Sequence, residues 1–199
     1  LPGEREAILS QTQSFAVNPD SAASPAILGA PTENLASGHP GISSGHNGAH
    51  LSLNLPLRKS WSAKIESVDN NLNQLSQPVI AGGRVLALGG DGVLNAFDLE
   101  TGNIVWNYRQ KNFPYFSSPA VTPNFVFIGG RDKGLHCISR ITGKQEWRFS
   151  ARGRIDSSPV VAGEKVVFGS MDGKLYMISL KDGSEIVSYE VGEPISSTP

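Results

Sequence analysis

The residues from which this chain could build chemistry are few: four histidines, one cysteine and a thin scatter of carboxylates. His46 and His50 are separated by three residues, a spacing that could ligate zinc from one face of a helix. Gly45, Gly48 and the surrounding Ser and Asn argue against a helix, so His39, His46 and His50 read as an unstructured trio. His136 lies in an apolar run and reads as a packed histidine. No base is placed beside Cys137, which reads as a small core side chain and not a nucleophile. "GGDG" at 89–92 lacks the Gly-x4-Gly-Lys-Ser/Thr order and the following helix of a phosphate loop, and reads as a hairpin turn. We assign no catalytic, cofactor-binding or metal-ligating residue from these patterns.

The elements that carry these residues fall into two zones. Residues 1–55 are rich in Ser, Ala, Pro, Gly and Asn, with neither the 3.6 period of a helix nor the alternation of a strand. They are expected to be an extended low-complexity segment, with at most a short helix near "GEREAILSQ". From 56 to 199 apolar runs recur. Pro78, Pro119, Pro159 and Pro199 are spaced by 41, 40 and 40 residues. After each of the first three come two apolar runs, a turn ("DG" at 91–92, "DKG" at 132–134, "DG" at 172–173) and a third run. A second turn ("TG" at 101–102, "TG" at 142–143, "DG" at 182–183) and a fourth run close the unit. Four strands every ~40 residues is the signature of a β-propeller blade. Asp-Gly and Thr-Gly pairs supply the positive φ that tight hairpins need.

The expected fold is therefore all-β, a propeller of four-stranded antiparallel blades. Blades are placed at about 75–109, 116–150 and 157–190, with a further one opening at 195–199. The segment near 57–66, around Trp61, resembles a fourth strand without its first three. Three units do not close a ring of the usual 4–8 blades, so the chain is expected to be the N-terminal part of a longer protein. It opens on Leu1, and any leader or lipid-attachment cysteine is expected ahead of it. A single cysteine permits no internal disulfide, and no apolar run approaches the roughly 20 residues of a membrane helix.

"AFDLETGNIVW", Ala96 to Trp106, resembles the tryptophan-docking pattern A-x-D-x-x-T-G-x-x-x-W of quinoprotein-like propellers. On that pattern Ala96, Asp98, Gly102 and Trp106 dock the first blade, with the indole flat on its neighbour where the small Ala leaves room. Thr142, Gly143 and Trp147 serve the second blade, where Cys137 and Ser139 replace Ala and Asp. The third keeps Gly183 but has Val187 for Trp, so docking weakens along the chain. There is no Trp-Asp pair to suggest WD repeats.

Within that group the chain looks like the BamB family, the propeller subunit of the bacterial machine that inserts β-barrels into the outer membrane. "LPGEREAIL", "GHNGAHLSLN" and the strand at Trp61 carry the resemblance. It implies a non-catalytic scaffold with no cofactor, on the periplasmic side of the outer membrane, anchored by a lipid. Its implied partners are the barrel-assembly machinery and unfolded outer-membrane proteins. One alternative is a quinone-dependent dehydrogenase. Resemblance to that class implies pyrroloquinoline quinone, a calcium cage of carboxylate and amide oxygens, an Asp base and commonly an adjacent Cys-Cys pair. Cys-Cys is absent, and the positions before each proline, expected to line the channel, offer one carboxylate, Asp156. The other alternative is a propeller sensor or repeat domain.

The net charge of −1 suggests neither nucleic-acid nor membrane-surface binding, but charge is uneven. Arg109, Lys111, Arg131, Lys133, Arg140, Lys144, Arg148, Arg152 and Arg154 face only Asp132 and Glu146 between 109 and 154. A basic face of this kind could steer an acidic partner. No nucleic-acid motif with interleaved aromatics accompanies it. Phe113 and Tyr115, between the first two blades, and Arg152 and Arg154, in the equivalent later connection, are the expected partner-binding residues.

Overall fold

Short β-branched and aromatic runs broken by glycine turns give a computed structural model made of strands, described here for residues 56–65, 76–109 and 117–198. Blade 1 holds β1 (Val79–Ala81), β2 (Arg84–Leu88), β3 (Val93–Asp98) and β4 (Ile104–Arg109). Blade 2 holds β5 (Ala120–Val121), β6 (Phe125–Gly129), β7 (Gly134–Ser139) and β8 (Gln145–Ser150). Blade 3 holds β9 (Val160–Ala162), β10 (Lys165–Gly169), β11 (Lys174–Ser179) and β12 (Glu185–Glu190). Each is a four-stranded sheet with its strands in chain order, and all pairs are antiparallel. There is no helix among the described residues.

The three sheets share one register. Arg84 opposes Asp98, Phe125 opposes Ser139 and Lys165 opposes Ser179. Each outer strand is bulged, between Ala96 and Phe97, Cys137 and Ile138, and Met177 and Ile178 on its partner. A bulge bends an edge strand and blunts it against further pairing.

The core lies between the sheets. Leu86, Leu94, Ala96 and Trp106 of blade 1 pack on Val126, Ile128 and Ile138 of blade 2. Phe127, Leu135 and Cys137 on the other face of blade 2 pack on Val166, Phe168 and Ile178 of blade 3. Phe149 stands edge-on to Phe168 and Tyr176, with centroids 5.9 and 5.3 Å away. The middle sheet is thus covered on both sides. That is why β7 reads "GLHCIS" without polar alternation. On the far side of blade 3, Val167, Leu175, Met177 and Val187 are half-buried and Tyr189 is exposed. These are the register equivalents of the blade 2 residues that meet blade 3.

Residues 57–65 are not paired into a sheet; a strand needs a neighbour to hydrogen-bond, and no described strand flanks them. One expectation changes: of the residues before the prolines, Ser117 and Ser157 present no polar group to a channel. Ser117 and Ser157 are fully buried, and each Oγ accepts from and donates to one glycine backbone, Gly129 and Gly169 respectively. Their neighbours link blade to blade: Gln77 N donates to Ser118 Oγ, and Ser118 N to Ser158 Oγ. Ser157→Ala would strand both buried Gly169 groups. We expect it to cost about 1–3 kcal/mol in urea unfolding. A loss below a few tenths would mean that water substitutes freely for the hydroxyl.

Candidate functional site

Three indoles lock one blade to the next by the same contact. Trp61 Nε1 donates to Leu99 O at 2.8 Å, Trp106 to Arg140 O at 3.0 Å and Trp147 to Leu180 O at 3.3 Å. Each ring lies on a turn glycine, Gly102, Gly143 or Gly183, whose φ is +73°, +72° and +72°. A Cβ built on these glycines would stand 2.6, 2.7 and 2.5 Å from an indole carbon. The room on the neighbouring blade is therefore made by glycine. Ala96 is instead the cross-strand partner of Trp106 within its own blade, and Cys137 that of Trp147. Asp98 fixes the first of these turns by accepting from Thr101 N and Thr101 Oγ1, both at 2.8 Å. In blade 2, Thr142 Oγ1 accepts from Lys144 N at 3.3 Å. Trp61 docks as the other two do, although its segment is not a strand.

The opposite ends of the strands carry the β2–β3, β6–β7 and β10–β11 turns and the connections between blades. An aspartate organises each turn, and each takes a different second partner. Asp91 holds Arg109 at 2.7 Å. Asp132, 6% exposed, lies 3.0 Å from His136 Nε2 and 3.1 Å from Arg148 Nη2. Asp172 accepts from the Tyr176 hydroxyl at 2.8 Å and from the Arg152 and Gly153 N–H groups at 3.0 and 3.1 Å. His136 is fully buried, as its position suggested, and its Nδ1 lies 3.1 Å from the Tyr108 hydroxyl of blade 1. Gly134 makes room for this cluster, since a Cβ there would meet His136 and Arg148. The left-handed turn position, glycine at 92 and 173, falls to Lys133 with φ +63°. Such a residue costs about 1–2 kcal/mol of strain.

The charge cluster read from the sequence disperses in space. Arg109 and Arg148 are held by aspartates, Arg140 is bonded to backbone carbonyls, and Lys144 lies at the other end of blade 2. Lys111, Phe113 and Tyr115, like His39, His46 and His50, fall outside the described residues. Arg131, Lys133, Arg152 and Arg154 are exposed together on the connection face. The connection carrying Arg152 and Arg154 is fixed on both sides. Ala151 N donates to Lys133 O, Ile155 N to Gly130 O, and Met171 N to Arg154 O.

A family model described as outer membrane protein assembly factor BamB matches residues 57–122 and 114–198, most of the chain. The chain belongs to the BamB family. BamB of Escherichia coli is 28% identical over 66% of this chain and 34% of its own length. The crystal structure of BamB from Moraxella catarrhalis superposes with a TM-score of 0.53 at 23% identity, covering 61% of this chain and 37% of that one. A quinohemoprotein alcohol dehydrogenase from Pseudomonas putida gives 0.52 at 22% identity, over 57% and 20% of the two chains. The chain spans about a third of the length of the curated BamB relatives that it matches.

The blade shared with quinohemoproteins raises the question of a quinone and calcium site, which the described residues of this BamB-family chain do not fit. Asp156, the carboxylate before the third proline, is already held by Arg154 at 2.8 Å, with Arg131 4.0 Å away. A calcium ligand beside two guanidinium groups is electrostatically unfavourable. Ser117 and Ser157 are turned into the sheet. No group of three His, Cys, Asp or Glu side chains converges among the described residues. Burial pushes the Cys137 thiol up to about 12, with Glu146 adding to it, so it is no thiolate nucleophile.

Asp132 gives a pH test of the blade 2 turn. Burial alone would raise its carboxyl, but the hydrogen bond to His136, the Gly134 N–H and Arg148 outweigh it and hold the group down at about 2. A depressed carboxylate stabilises the fold above its ordinary value near 4, and this is lost as pH falls toward 2. We expect the stability gap between wild type and Asp132→Asn to shrink across that window. A gap in urea midpoints that does not change with pH would mean that its charge is not at work.

Proposed function

We propose that this chain is the propeller part of a non-catalytic scaffold in the outer-membrane β-barrel assembly machinery, on the periplasmic side and held by a lipid anchor. Protein partners dock on its inter-blade connections. Family membership supports the assembly role. The observation that carries the surface is the 151–156 connection. Its backbone is tied to blades 2 and 3 by Ala151, Arg152, Gly153 and Ile155, while Arg152 and Arg154 stay exposed. Guanidinium groups on a rigid loop lose little entropy on binding and suit a carboxylate-bearing partner surface. Phe113 and Tyr115, in the preceding connection, belong to the same proposal.

Charge reversal tests it. The Arg152→Glu and Arg154→Glu pair is expected to lower capture of the assembly machinery about tenfold or more while the chain stays folded, at a somewhat lower unfolding midpoint because Arg154 also holds Asp156; close charge pairs at protein interfaces can couple by more than about 1.4 kcal/mol. Phe113→Ala should weaken capture and leave folding intact. Undiminished capture by the folded double variant would place the docking surface elsewhere. Saturable quinone binding with calcium-dependent dye reduction would restore the dehydrogenase alternative.

A further inference from the structure

The wedges between neighbouring blades are filled differently on the face opposite the connections, where the first and third hairpin turns of each blade lie. Between blades 1 and 2 two guanidinium groups plug the wedge. Arg84 Nη1 donates to Arg140 O at 2.8 Å and Ile141 O at 3.0 Å. Arg140 donates from Nε to Pro123 O at 2.6 Å, and from Nη1 to Gly82 O at 3.2 Å and Ala81 O at 3.4 Å. The shared register puts Phe125 where blade 1 has Arg84, and Leu180 where blade 2 has Arg140. Neither side chain can donate a hydrogen bond, and the wedge between blades 2 and 3 stays open as a cleft of about 430 Å³. Phe125, Leu180 and Ile186 give it an apolar lining, Ile186 being 49% exposed. Lys165 and Lys181, both exposed, stand at it with Glu164 as the one acid.

We propose that this cleft docks an extended protein segment in which an apolar side chain, best an aromatic one, is followed directly by an acidic residue. The apolar group takes the space that Arg84 and Arg140 fill one junction earlier. The carboxylate meets the two ammonium groups, whose charge exceeds that of Glu164. The volume suits one or two side chains and not a folded domain. Glu164 and the small net charge disfavour a polyanion such as nucleic acid, and the apolar Phe125, Leu180 and Ile186 leave most of the cleft without a partner for phosphates. The surface lies at the opposite strand ends from Arg152 and Arg154, so it stands or falls independently of them.

Two acetylated, amidated hexapeptides probe it: Ser-Gly-Phe-Glu-Gly-Ser and its twin with Lys in place of Glu. Each is titrated into the full chain by calorimetry and by the indole fluorescence of Trp147, whose Nε1 bonds Leu180 O. We expect saturable binding of the acidic peptide, about tenfold tighter than the basic one. Phe125→Arg with Leu180→Arg installs the plug of the first junction and should weaken that binding about tenfold. Lys165→Glu with Lys181→Glu changes only exposed side chains and should reverse the preference, so the test survives if the arginine pair does not fold. Equal binding of the two peptides, no saturation, or undiminished binding to either folded variant would overturn the proposal. So would self-association of the chain that the acidic peptide reverses, which would assign the cleft to a second copy.

Discussion

Trp106→Ala is expected to lower unfolding stability by about 3–5 kcal/mol, the largest single effect in the described blades. The indole is 8% exposed and sits in the cluster that joins blades 1 and 2. Removing it opens a cavity between two sheets, strips Gly143 of its cover and leaves Arg140 O with one donor fewer, although Arg84 still bonds that carbonyl. Trp147→Ala should cost less. That ring is half-buried, and its N–H bond is longer, 3.3 Å against 3.0 Å. Urea titrations of the two variants against wild type rank them. A Trp106 variant no weaker than the Trp147 variant would contradict the burial argument.

Gly143→Ala comes next, at about 2–5 kcal/mol, from two separate penalties. The residue holds φ +72°, a left-handed conformation that costs an alanine about 1–2 kcal/mol. Its new Cβ would also stand 2.7 Å from the Trp106 ring, an overpacking worth about 1–3 kcal/mol more. Only the second penalty depends on the indole. In a double-mutant cycle, Gly143→Ala on a Trp106→Ala background should therefore cost about 1–2 kcal/mol, the backbone part alone. Strict additivity would show that the ring and the glycine do not meet.

Local chemistry made the blades legible. The spacing of Pro78, Pro119 and Pro159 and the Asp-Gly and Thr-Gly turns are short-range signals, and each turn sets the register of the hairpin it closes. Trp106 and Trp147 were visible as anchors for the same reason. What they dock on was not, because each indole meets a carbonyl 33 to 38 residues away. The sequence pattern drew attention to Ala96, while the space was made by a glycine one blade on. Ser117 and Ser157 belong to a repeated Ser-Ser-Pro, a pattern that by itself suggests channel-lining hydroxyls, whereas their bonds to Gly129 and Gly169 hold them inside the sheet. Closeness along the chain likewise suggested one basic face. The fold sends Arg140 and Lys144 to the opposite strand ends and ties Arg109 and Arg148 to turn aspartates, leaving Arg131, Lys133, Arg152 and Arg154 on the connection face, where Arg154 pairs with Asp156. The turn at 172–173 is legible in the sequence, but the part Asp172 plays in fixing Arg152 is not, because it reaches back 20 residues to the connection ahead of its blade.

The offset between tryptophan and glycine bears on how such a chain can change length in evolution. Each lock joins a tryptophan of one unit to the third turn of the next, as Trp106 with Gly143 and Trp147 with Gly183 show, and Trp61 meets Gly102 in the same way. A stretch of one full period copied from the first two blades, wherever its ends fall, carries one tryptophan and one receiving glycine. Gene duplication can therefore insert or delete a unit without leaving an unmatched half-lock inside the array. Recombination that splices a unit lacking the tryptophan, as the one with Val187 does, would instead soften the junction that follows it.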